Sequence, residues 1–333
     1  MKKFLNDPVN FVDEMLEGIY LAHPAVTYVD GDKRCLVTAN VRSGKVGIAT
    51  GGGSGHLPLF LGYVGDGMLD GAAVGGVFQS PSAEQMYQVT KHIDQGAGVL
   101  YIYGNYSGDI INFEMAAELA DMDGIRVKHV VGNDDVASSV VGEEHKRRGV
   151  AGIFFIYKAA GAAAAEGLPL DEVSRLADKA RLRTRTIGVA LSSCVVPEIG
   201  HATFSIGADE MEIGMGIHGE PGISRKKMGS ADGVIDEMME RIFVEQSYDQ
   251  GDSVAVLVNG LGGTPMEELY ILFRRVSQLL QGRGVTAKYV WVGEFATAME
   301  MAGASVSIIH LDDELDRLVA APANTPFFQH VGM

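Results

Sequence analysis

Short apolar runs alternate with helical stretches along most of the chain, the pattern of an α/β protein. In the first half, runs of strand length fall at 46–50, 72–78, 99–103, 127–131 and 153–156. Helices are expected between them at 82–93, 110–120 and 170–182, after an N-terminal helix at 11–21 for which Asp7-Pro8 is a suitable start. The alanine-rich piece 159–165 reads as a close-packed helix. Beyond a basic stretch at 179–185 the alternation resumes. Strands are expected there at 187–191, 212–217, 254–258, 287–292 and 306–310, and helices at 233–243, 265–280 and 312–319. The expected fold is α/β, with two α/β domains, 1–183 and 184–333, whose helices pack on mixed or parallel sheets. Glycine-rich segments recur at strand ends (GGGSGH, YGNYSGD, NGLGGTP), where α/β proteins place their ligands.

Composition narrows the function classes. The chain has 333 residues, 47% of them hydrophobic, and 27 basic against 43 acidic side chains give a formal charge of −16. That balance argues against nucleic acid, which is bound mainly through clustered Lys and Arg. The short basic clusters at 146–148 and 225–227 read as solvated surface. Cys35 and Cys194 are the only cysteines, with no paired spacing for zinc or for a disulfide framework, as fits a reducing cytoplasm. No apolar run reaches the length of a membrane span, and the N-terminus is a poor secretion signal. A cytoplasmic protein acting on neither membrane nor nucleic acid is the expectation.

Three segments carry candidate chemistry. GGGSGH (51–56) follows the apolar run VGIAT, but it lacks the Lys of a phosphate-binding loop and has His56 where a dinucleotide fingerprint needs glycine. A small polar substrate suits it better than a pyrophosphate; the alternative is a tight structural turn. VLYIYGNYSGD delivers Asp109 to a strand's carboxyl end, where a carboxylate can take a proton from a substrate hydroxyl. The alternative there is an N-cap for a helix starting at Ile110. GMGIHGEPG sets His218 among Gly216, Gly219 and Gly222, which leave the ring accessible as a nucleophile or base. The alternative is a histidine satisfied in a turn. No His pairing suggests a metal.

Taken together and in this order, GGGSGH, FQSP (78–81), NYSGD, GIHGEPG and NGLGGTP make the chain resemble the substrate-binding subunit of dihydroxyacetone kinase over nearly its whole length. The resemblance implies that His218 adds to a ketose carbonyl and forms a covalent hemiaminal. It implies that His56 and Asp109 hydrogen-bond the ketose and handle its hydroxyl proton, and that Gly53 and Ser80 line it. It further implies a homodimer, and a separate helical subunit or domain carrying nucleotide and Mg²⁺, so that this chain binds no cofactor or metal of its own. Asp30-Gly31-Asp32 is the nearest match to the family's metal-binding Asp cluster, in the wrong context. The donor is either ATP or a phosphotransferase-system protein.

Two positions depart from the family pattern. Leu57-Pro58 stands where many members have Glu-Pro, and Gly104 where many have Lys before Asn-Tyr. They put the substrate range and the choice of partner in doubt, and erythrulose is an alternative to dihydroxyacetone. A ketose-sensing coactivator of a transcription regulator is the competing function; a retained base at Asp109 argues against it. A nucleotide-binding oxidoreductase is a third reading, disfavoured by His56.

Overall fold

The computed structural model describes residues 2–202 and 204–332 and builds them around two six-stranded sheets. The first sheet holds β1 (Val26–Val29), β2 (Asp32–Thr38), β3 (Gly47–Ser54), β4 (Gly71–Val77), β5 (Val99–Gly104) and β6 (Val127–Gly132) in the order β1-β2-β4-β3-β5-β6. The β1–β2 and β2–β4 pairs are antiparallel, while β4, β3, β5 and β6 run parallel. All four parallel strands therefore present their carboxyl ends at one edge, where the glycine-rich segments emerge.

The β1–β2 hairpin was not expected. Asp30 and Gly31 both take positive φ, 50° and 81°, the two-residue turn that matches the twist of an antiparallel pair. The Asp30-Gly31-Asp32 segment is thus a hairpin turn.

Alternate strand residues point to opposite faces. Cys35, Val37, Ala49, Tyr101 and Tyr103 pack under α2 (Ala83–Ile93) and α3 (Ser107–Met122). Leu36, Ile48, Leu100 and Ile102 pack on the other side, against α4 (Ile153–Ala165) and α5 (Leu170–Leu182), with α1 (Phe11–Ala22) beyond. Helix α2 opens on a capping box, in which Ser82 and Gln85 each satisfy the other's backbone N–H.

The expected strand at 153–156 is instead the first turn of α4, continuous with the alanine-rich stretch. Residues 153–164 of that helix are all buried. A helix buried on every side shows no polar stripe, so its apolar run has no 3.6-residue period to distinguish it from a strand.

The second sheet holds β7 (Thr184–Ala190), β8 (Glu210–Ile213), β9 (Ser224–Lys227), β10 (Ser253–Gly260), β11 (Thr286–Gly293) and β12 (Gly303–Leu311), ordered β11-β10-β12-β7-β8-β9. Only β10–β11 is parallel. Helices α6 (Ala231–Glu245) and α7 (Met266–Gly282) cover one face. The other face turns Ala255, Leu257 and Ile309 toward α4 and α8 (Asp313–Ala320), in the same apolar cluster that backs the first sheet. The helical layer containing α4 is thus shared by both sheets.

The run expected as a strand at 212–217 stops at Ile213. Gly214 takes φ +80°, which frees the chain to form the loop that carries His218. Among the described residues, no helix is long and apolar enough to cross a membrane.

Candidate active site

His56 lies just past β3, after a turn through Gly55 at φ +97°. The residue is 1% exposed, and its Nδ1 is 2.7 Å from the carbonyl oxygen of Thr297. A carbonyl can only accept, so Nδ1 carries the proton and Nε2 is left as a lone pair. That Nε2 is buried and has no partner among the described residues. Burial, and next the charge of His218, push the ring's pKa down to about 3, so it is neutral at physiological pH.

The segment is clamped by the loop after β11. Met299 N donates to Gly55 O at 2.7 Å, and Thr297 Oγ1 donates to Leu57 O at 3.0 Å. Gly53 allows the strand end to lie flat on its neighbour: a Cβ there would sit 2.7 Å from Gln79 N and 2.8 Å from Phe78 Cα. Phe78, held at φ +59°, stacks its ring on His56 with centroids 4.8 Å apart.

Asp109 comes from the end of β5. Helix α3 begins at Ser107 with Tyr106 as its N-cap residue, so Asp109 sits in the first turn and does not cap. The helix dipole favours a carboxylate at that place. Asp109 is 5% exposed, and its Oδ1 has no partner among the described residues. Burial pushes its carboxyl up to about 6, opposed by the Ser80 side chain and the His218 charge. Ser80 lies against the same turn, since a Cβ on Gly108 would be 2.7 Å from its Oγ.

His218 arrives from the other sheet, in the loop between β8 and β9. Its ring meets His56 edge-on at 4.6 Å, Tyr106 at 4.7 Å and Phe78 at 5.4 Å between centroids. Glu220 holds it twice: Oε1 is 3.0 Å from Nδ1, and Oε2 accepts the His218 backbone N–H at 3.0 Å. The Glu220 carboxyl is partly desolvated, which would raise it, but the bonds and charge of His218 dominate and hold it down at about 2.

The structure thus brings His56 and His218 into ring contact, with Asp109 buried close enough to feel the His218 charge. Gly53 packs against the Phe78–Gln79 backbone, and Ser80 packs beside the first turn of α3. Two imidazoles in contact, one of them held neutral by burial, beside a carboxyl raised to about 6, suit addition to a carbonyl and removal of a hydroxyl proton.

Several contributors went unread in the sequence. Thr297 is distant in the chain and lies in no motif. Glu220 stands inside GIHGEPG, where its spacing of two from His218 was the available signal. The basic cluster at 146–148 is not the solvated surface expected. Arg147 is 1% exposed and pairs with Glu245 at 2.8 Å, and Arg148 grips Asp135 at 2.8 Å. Both arginines are drawn in by partners remote in sequence. Lys146 alone of the three stays on the surface, paired with Glu143.

Comparison with known proteins adds to this geometry. A Dak1 domain model matches residues 17–327. The PTS-dependent dihydroxyacetone kinase 2, dihydroxyacetone-binding subunit DhaK of Listeria innocua is 46% identical over 331 residues, 99% of each chain. The D-erythrulose kinase of Mycolicibacterium smegmatis is 44% identical over 99% of this chain, which spans 57% of that longer protein. Among solved structures, the dihydroxyacetone kinase of C. freundii superposes with a TM-score of 0.91 at 30% identity, over 99% of this chain and 60% of that one. A dihydroxyacetone kinase operon co-activator superposes at 0.89 and 31% identity, over 96% and 98%.

Proposed function

This chain belongs to the Dak1 family, and from that premise we propose that it is the ketose-binding subunit of a dihydroxyacetone-type kinase. It takes dihydroxyacetone covalently through His218 as a hemiaminal and presents a hydroxyl to a nucleotide-bearing partner subunit. The observation that carries this reading is the convergence of His218, His56 and Asp109 from two sheets onto one spot, with orphaned acceptors on His56 and Asp109.

The chemistry follows from the groups present. An imidazole nitrogen can add to a ketone but cannot go on to a neutral imine, so the adduct is a reversible tether. It selects carbonyl compounds over glycerol, and it fixes the terminal hydroxyl for in-line transfer. Asp109 takes the hydroxyl proton, and His56 accepts a hydrogen bond from the bound ketose through Nε2. Gly53 and Ser80 line the ketose. Nucleotide and Mg²⁺ belong to the partner, and the working form is a cytoplasmic homodimer. The strong similarity to a PTS-dependent subunit along its full length favours a phosphotransferase-system donor over ATP.

Similarity to a D-erythrulose kinase supports a four-carbon ketose as the alternative substrate. Similarity to an operon co-activator supports a second role as a ketose sensor. The retained Asp109 favours catalysis, because a sensor needs no base. The test is to mix the chain with a nucleotide-bearing subunit, a phosphoryl donor, and dihydroxyacetone or erythrulose. Formation of a ketose phosphate supports the reading, and the faster ketose is the substrate. No ketose phosphate with either ATP or a phosphotransferase-system donor overturns it.

A further inference from the structure

We propose that Glu220 is the positioning residue that makes Nε2 of His218 the bonding atom, and that an Asp135–Arg148 pair reaching across from the first sheet keeps its loop in register. The inference rests on the reading of His218 as the nucleophile and goes further, to what selects one of its two nitrogens.

Glu220 makes a two-point contact with a single residue, 3.0 Å to Nδ1 and 3.0 Å to the backbone nitrogen of His218. An ionised carboxylate only accepts, so Nδ1 carries a proton, and in the neutral, nucleophilic ring it is Nε2 that keeps the lone pair. The local backbone is built for that carboxylate. A Cβ on Gly216 would lie 2.1 Å from Glu220 Oε2 and 2.6 Å from Arg148 Nη1, so only glycine leaves Glu220 its place.

Arg148 ties the loop to the other half of the molecule. It binds Asp135 through Nε at 2.9 Å and Nη2 at 2.8 Å, and donates from Nη2 to the Gly214 carbonyl at 2.8 Å, where the His218 loop begins. Its Nη1 stands 4.0 Å from Glu220 Oε2. Asp135 follows β6 and Arg148 precedes α4, so the chain of contacts runs from the sheet bearing His56 and Asp109 to the loop bearing His218.

In the reaction, the Nε2 lone pair forms a bond to the carbonyl carbon and the C=O π pair moves to oxygen. The oxygen takes up one proton from water, and the ring, positive after attack, loses its Nδ1 proton to water. One proton is taken up and one released, and Glu220 holds the transient positive charge.

The test uses the intact protein, the Glu220→Gln and Glu220→Asp variants, and dihydroxyacetone labelled at its carbonyl carbon. Nitrogen–proton NMR on the free protein reads the His218 tautomer. Carbon NMR of the labelled ketose reads the change from ketone to tetrahedral adduct. Expected are a single Nδ1–H tautomer in the wild type, mixed tautomers in Glu220→Gln, and adduct formation weaker by roughly 10- to 100-fold, the weight of a charge-assisted hydrogen bond. The Glu220→Asp variant keeps the charge and recovers part of the loss. An unchanged His56 signature, pinned by Thr297, certifies that the fold is intact. Wild-type adduct with unchanged tautomer and affinity in Glu220→Gln overturns the inference. Absence of adduct in the wild type overturns the reading beneath it instead.

Discussion

Replacing Asp109 by Asn is expected to make the protein more stable and its phosphoryl transfer slower. The Asp109 carboxyl ionises at about 6 in place, against 3.8 for a free side chain. At about 1.4 kcal/mol per pKa unit, holding it ionised costs about 3 kcal/mol of folding stability at neutral pH. Asn removes that cost and gives up a carboxylate in the first turn of α3, worth roughly 0.5 kcal/mol, and its amide must find partners. The net gain is about 2 kcal/mol, or ~3 °C in melting temperature for a chain of this size.

The sign of the pH dependence is fixed by the raised pKa. Between 3.8 and about 6 the folded state binds more protons than the unfolded state, so wild-type stability falls as pH rises through that window. The variant's advantage is therefore full above about pH 6, shrinks below it and is gone under 3.8. Urea unfolding of both proteins at pH 8 and pH 4 measures it. Transfer to the ketose should fall by roughly 10²- to 10⁴-fold, with ketose binding retained. Equal stability at pH 8, or an advantage undiminished at pH 4, would mean that the folded protein does not hold Asp109 ionised at a cost.

Other outcomes follow from the same contacts. Arg147→Met leaves Glu245 without its buried partner and should destabilise by about 3–5 kcal/mol, read by urea unfolding. Gly152→Ala drives a Cβ to 2.4 Å from Asp134 Oδ2 and 2.6 Å from Thr184 Cγ2, and should cost on the order of 1–3 kcal/mol. Gly53→Ala pushes on backbone atoms at 2.7 and 2.8 Å, and should both lower the melting temperature and weaken ketose binding, measured calorimetrically. His218→Asn should fold normally yet lose its preference for dihydroxyacetone over glycerol, seen by competition binding.

Much of this architecture was legible because the strands near 46–50, 72–78, 99–103 and 127–131 are apolar and bounded by glycine, and because α2 and α5 carry their own caps or charge patterns. Where a segment is buried on every side the pattern fails, as at 153–156, whose apolar run is the start of α4. The β1–β2 hairpin escaped the apolar-run pattern although Asp30-Gly31 is a strong turn signal, because β1 is only four residues long and β2 opens on the charged run Asp32-Lys33-Arg34. Of the residues brought together at the candidate site, His56 and Asp109 stood out because each ends a glycine-rich segment, and His218 because glycines flank it on both sides. Thr297, Tyr106 and Arg148 were not. Their roles arise from contacts between distant parts of the chain, and no local period encodes which arginine of 146–148 will be drawn inward.

Whether His218 bonds the ketose can be seen in a crystal soaked in dihydroxyacetone and flash-cooled. Continuous density is expected from His218 Nε2 to a tetrahedral carbon, with His56 Nε2 and the Asp109 carboxyl within hydrogen-bond distance of the adduct's oxygens. Clear density for a planar, unbonded ketose beside His218 would contradict it.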